Sequence, residues 1–148
     1  MIYNELRNKR GHVMETQIVL SDHIESMPVS PGVSANKLIN PTLAFAVPAT
    51  PNNLSFSVTV LTRGMSFEGK PFVSFKVLDS ENNIINQIEA PLPAEQVKAN
   101  INPLGTFNFN LDFRNVLFRH AGDYFISFEL NGNEVNRQKF EIIVNSEI

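Results

Sequence analysis

Residues 107–130 read FNFNLDFRNVLFRHAGDYFISFEL, and their two alternating runs decide the fold. In the first, Phe107, Phe109, Leu111 and Phe113 are separated by Asn108, Asn110 and Asp112. In the second, which follows Gly122 and Asp123, Tyr124, Ile126, Phe128 and Leu130 alternate with Phe125, Ser127 and Glu129. Successive side chains of a strand point to opposite faces, so apolar residues in one phase of a period of two predict half-buried antiparallel strands.

Working outward, Asn131-Gly132 supplies the positive φ angles of a two-residue hairpin turn, so a last strand from about Glu134 to Val144 folds straight back. Phe140, Ile142 and Val144 give that strand one apolar face, but Val135 lies in the opposite phase, which predicts a bulge between them. Upstream, Leu54, Phe56, Val58 and Val60 alternate with Ser55, Ser57 and Thr59, and Val73, Phe75 and Val77 alternate with Ser74 and Lys76. The polar run Asp79 to Asn83 has the chemistry of a tight turn, with a partner strand from Ile84 to Ala90. Two further strands are expected, at about Val13 to Leu20, where a helix is the rival reading, and at Thr42 to Val47. Ser21 to Asn40 reads as loop because Pro28, Pro31 and Gly32 punctuate it. Residues 114–121 read as a corner, and 91–103, with three prolines, as a crossing with a helical turn at 94–99.

Residues 1–12 lack apolar pattern and are expected to form an N-terminal arm, leaving 13–148 as a single β-sandwich domain. The expected class is all-β, an antiparallel sandwich of about seven to eight strands. A 148-residue chain that is 43% hydrophobic with 12 Phe can fill one core. The absence of Cys removes disulfides, thiolate chemistry and Cys-type metal sites. A net charge of −3, with Arg7, Lys9 and Arg10 as the only basic cluster, argues against nucleic-acid binding. No apolar run approaches the roughly 20 residues of a membrane span, and Met1 to Gly11 is too polar for a signal peptide, so a cytoplasmic location is expected.

The segment Phe118 to Val144 resembles the final hairpin of an immunoglobulin-like sandwich. The resemblance implies that the Tyr124 phenol bonds backbone upstream and closes the end of the sandwich, as in a tyrosine corner. The chain departs from the usual Asp-x-Gly-x-Tyr order, having Ala121-Gly122-Asp123-Tyr124, and lacks the Cys and Trp of antibody domains. Across residues 13–144 it also resembles a group of small, uncharacterised bacterial sandwich proteins in which a phrase like Asp112-Phe113-Arg114-Asn115-Val116 leads into a Gly-x-Tyr strand. That resemblance implies the fold and no activity.

Motifs for chemistry are sparse. His12, His23 and His120 are not paired at metal-binding spacing, and read as exposed loop residues. Ser21-Asp22-His23 holds the residue types of a hydrolytic triad, but a relay needs side chains converging from separate elements, so chance is the better reading. Asp79, Glu81, Asn82 and Asn83 lack the charge and spacing of a calcium loop. Asp22 and Glu25 are too local to act as a glycosidase pair, and the seven glycines are scattered, with no phosphate loop. No cofactor or metal is expected. Phe67, Phe72 and Phe125 fall outside the core phase and would form a contact surface if exposed together.

If strands alternate up and down from Leu54, one end of the sandwich collects the connections 63–70, 91–103 and 131–133, and the other collects 48–53, 79–83 and 114–121. The first end, with Met65 and Phe67 as apolar tips, is the preferred binding end. At the second, Arg114, Arg119 and His120 form a small cationic set, read as a solvated corner with an anion site as the rival. The leading functional expectation is a non-catalytic module that binds a protein partner or itself through loop tips or an edge strand, with neither nucleic acid nor membrane as partner. A structural subunit of a phage or other assembly is the second reading, and a small-ligand binder or enzyme the third.

Overall fold

Both alternating runs of residues 107–130 form strands, and the odd-numbered apolar residues of the first turn inward as their phase requires. The computed structural model describes residues 14–66, 69, 71–92 and 104–147. They hold ten strands: β1 Glu15–Ser21, β2 His23–Ser30, β3 Val33–Ile39, β4 Ala44–Val47, β5 Asn52–Arg63, β6 Phe72–Leu78, β7 Ile84–Pro91, β8 Thr106–Phe118, β9 Gly122–Leu130 and β10 Asn133–Val144. One sheet has the order β1-β5-β8, and the facing sheet has the order β4-β10-β9-β6-β7. All pairs are antiparallel except β4 with β10. This is an immunoglobulin-like sandwich in which the first strand position is shared between the sheets, β1 lying beside β5 and β4 beside β10. The expected helical turn at 94–99, most of the expected crossing at 91–103 and the arm at 1–12 lie outside the described residues.

Inward-facing side chains of the two sheets meet in one core. At one end Phe56 lies 5.3 Å from Phe45, 5.5 Å from Phe113 and 5.8 Å from Phe140, measured between ring centroids. Toward the other end Phe75 stacks on Phe128 at 5.2 Å and meets Phe109 at the same distance. Val58, Val60, Val77 and Ile126 fill the space between the sheets and are fully buried. Burying each such aliphatic side chain is worth about 1.5–3 kcal/mol.

Two expectations about local backbone hold. Asn131 and Gly132 take φ of 52° and 83°, the signs a two-residue hairpin turn requires. The register of β10 on β9 shifts between Glu134 and Asn136, so the bulge falls at Val135.

Two expectations need correction. The corner placed at 114–121 begins later, because β8 continues to Phe118. Its inward phase moves from Phe109 and Phe113 to Val116 and Phe118 through a register shift opposite Leu54 to Phe56. Asn115 absorbs that shift at φ 54°, and its N–H donates to the Ser55 hydroxyl at 2.9 Å.

The second correction concerns residues 21–40, which form a β-ribbon and not a loop. Its register is continuous from the bridge Leu20↔Thr42 at the sandwich edge through His23↔Ile39 to Pro28↔Ser34. Pro31-Gly32 is the turn, with Gly32 at φ 76°, and a shift between Pro28 and Ser30 sets the strands for it. Proline is tolerated because both strands of a two-stranded ribbon are edges. Alternation is absent because neither face packs on a core.

Candidate functional site

The up-and-down expectation for strands β5 to β10 places the loops correctly. At one end Gly64 N–H donates to Gly105 O at 3.1 Å, and Leu92 N–H to Pro71 O at 2.8 Å. Asn131 N–H donates to Phe72 O at 2.7 Å, while Phe72 N–H donates to Asn131 Oδ1 at 2.8 Å. Met65, however, is not a tip: only 6% of it is exposed, and it packs into the core. Phe67 lies outside the described residues. Among the described residues, Phe72 is an aromatic that this end exposes.

The opposite end carries an open cleft of about 590 Å³ between the β6–β7 turn and the β8–β9 corner. Tyr124 sets its geometry, since its hydroxyl donates to His120 O at 2.7 Å while its ring meets Phe118 edge-on at 4.8 Å. The upstream bond implied by the tyrosine-corner resemblance is therefore present, and burial raises the phenol's pKa above its ordinary value. Across the cleft, Asp79 Oδ1 accepts from Glu81 N–H and Asn83 N–H at 2.9 and 2.8 Å, closing the expected turn. The Asn83 backbone bond is the main reason its carboxyl is held below the usual range.

The cationic set is not assembled. Arg119 and His120 line the cleft together with Asp79, Glu81 and Asp123, so both signs of charge share it. Arg114 lies apart, in a groove of about 220 Å³ with Asp22, His23, Ser57 and Asp112. Arg114 is on the outer face of β8 in phase with Asn110 and Asp112, and the extended strand that runs on to Phe118 keeps it away from Arg119.

Phe125 stands on the outer face of the second sheet and does not join Met65. It pairs across the strands with buried Leu78 and with Lys139, and the Arg137 guanidinium lies 5.0 Å over its ring. Arg137 also donates to Asn82 Oδ1 at 2.9 Å and to both carboxylate oxygens of Glu134. Glu134 accepts from the Ser127 hydroxyl at 2.6 Å as well, and the Arg137 hydrogen bonds hold its carboxyl below the ordinary glutamate range. On the same face Lys76 pairs with Glu129 at 2.9 Å.

Ser21, Asp22 and His23 make no relay. The Ser21 hydroxyl donates to the His23 carbonyl at 3.5 Å, Asp22 accepts from Asn40 at 3.0 Å, and the His23 ring pairs with Glu25 at 3.2 Å. Among the described residues, no three His, Asp or Glu side chains are placed to hold a metal ion, and no helix is long and apolar enough to cross a membrane.

The feature missed at the sequence level is the β2–β3 ribbon. Its base shares a groove with β5 and β8, and among the described residues nearly all of those in its two strands are exposed. Met27 is 44% exposed, Val33 53% and Val29 66%. One signal could have revealed it: Ser26 to Asn36 contains no charged residue, which is unusual for a segment left in water.

No curated protein matches the sequence. Among solved structures, an immunoglobulin-like protein from Pseudomonas aeruginosa is 8% identical, with a TM-score of 0.38, over 85% of this chain and 96% of its own. The alkylpurine DNA glycosylase AlkC of Pseudomonas fluorescens, solved on DNA containing an abasic site analog, is 10% identical with a TM-score of 0.37. That match covers 88% of this chain, which spans 31% of the glycosylase chain. A model of a family of unknown function matches residues 8–143, and the chain belongs to that family, DUF6941.

Proposed function

We propose that this protein is a non-catalytic interaction module, working inside a bacterial or phage-infected cell, whose sandwich carries the β2–β3 ribbon to a protein partner. The observation that carries this reading is the ribbon itself. A lone two-stranded hairpin is marginal in water, so one that leaves the fold without covering any core gains its lasting order from contact with something else. Its uncharged segment Ser26 to Asn36, with exposed Met27, Val29 and Val33, suits burial against protein. Both edges of the ribbon offer backbone groups for strand addition, although Pro28 removes one donor from β2. An assembly subunit remains the second reading, favoured by the same ribbon, since extended arms join neighbouring subunits without altering the scaffold.

A photo-crosslinking residue placed at Val29 in the native host tests the reading. A discrete protein adduct is expected from Val29 and none from the exposed Asn110 on the outer face of β8. No adduct at Val29, or an equal one at Asn110, contradicts it.

A further inference from the structure

We propose that the ribbon tip of one molecule seats in the tyrosine-corner cleft of a second copy, linking copies head to tail. This rests on the reading that the ribbon is the contact element, and adds what it contacts.

The donor and the receptor lie at opposite edges of one molecule. The ribbon is rooted at Leu20 and Thr42, where β1 and β4 form one edge of the two sheets. The cleft opens at the other edge, where Ile84 and Ile85 begin β7 and Leu117 lies next to the last residue of β8. The sheets face each other in that sense, since β1 contacts β10 and β7 contacts β8. No ribbon residue lines the cleft, so a molecule does not occupy its own.

The surfaces agree in chemistry. Ile84 is 52% and Leu117 37% exposed, two apolar side chains left open to water in a lining otherwise largely polar. The rim charges are of both signs, and a tip of either charge would meet its own sign there. A tip with no charge from Ser26 to Asn36 meets none, covers Ile84 and Leu117, and brings unpaired backbone groups to Arg119 and His120. A strand of 8 residues reaches about 26 Å at roughly 3.3 Å per residue, enough to enter a neighbour's cleft while the sandwiches stay apart. Because each copy has one ribbon at one edge and one cleft at the other, the contact is heterologous and propagates into a ring or a filament.

Sedimentation of the full chain across a concentration series, alone and in mixtures of two variants, tests this. The wild-type mass should climb through multiples of the single chain. Val29→Glu with Val33→Glu, which spoils the tip, and Leu117→Arg, which spoils the cleft, should each be monomeric with an unchanged melt. Mixed together, they should form a dimer and nothing larger, because one supplies the only intact ribbon and the other the only intact cleft. Val29 and Val33 are exposed, so the tip variant reports contact even if Leu117→Arg lowers the melt; Ile84→Arg then replaces it.

A wild-type chain that stays monomeric overturns the inference, as does self-association lost in the tip variant but retained in both cleft variants, which would mean ribbon against ribbon. A monomer that still gives a Val29 adduct of another protein overturns only the self-contact. A monomer with no adduct overturns the underlying reading as well.

Discussion

Tyr124 shows how far a single side chain can be argued from sequence. Its phase in the alternating run places the ring in the core, and the resemblance to a tyrosine corner implied a bond to upstream backbone, which the structure supplies at His120 O. Tyr124→Phe keeps the ring and removes the bond, so it should cost about 1 kcal/mol, the usual net worth of one hydrogen bond. A urea midpoint measured for both proteins checks this, and identical midpoints would refute the role. Other side chains were less legible for physical reasons. Met65 sits among polar neighbours with no periodic pattern, so nothing in the sequence distinguishes a tip from a core plug. Arg114 and Arg119 are five residues apart and read as neighbours, but β8 stays extended as far as Phe118, so they line two separate surfaces.

Among elements, strands with one face on the core were legible and those without one were not. β5, β6, β8 and β9 carry alternation because burial of one face selects it. The ribbon strands β2 and β3 have no buried face, so their composition follows other demands, and two prolines and a glycine read as loop. The same lack of support sets their dynamics. In dilute protein, amide exchange in β2 and β3 should be faster than in β5 and β9 by at least about a thousandfold, equivalent to roughly 4 kcal/mol of opening free energy. Hydrogen exchange resolved by residue measures this directly. Ribbon amides as protected as those of β5 in dilute protein would mean that the ribbon is held by the fold itself.

For the whole molecule, the division of labour follows from where the aromatic side chains went. Among the described residues, eight phenylalanines, including Phe56, Phe75, Phe113 and Phe128, are buried in the core, leaving little aromatic surface there for recognition. What the core does not use is the ribbon with its uncharged tip, rooted at one edge, and the mixed-charge cleft at the other. The scaffold and the contact element are therefore separable, and removing the ribbon tests this most directly. In a chain whose residues 23–39 are replaced by a short turn joining Asp22 to Asn40, the melting temperature should stay within about 2 °C, as for changes remote from the core. The Val29-dependent contact and any self-association should both disappear. A melting point lower by about 10 °C or more, or undiminished binding by the shortened chain, would contradict the account.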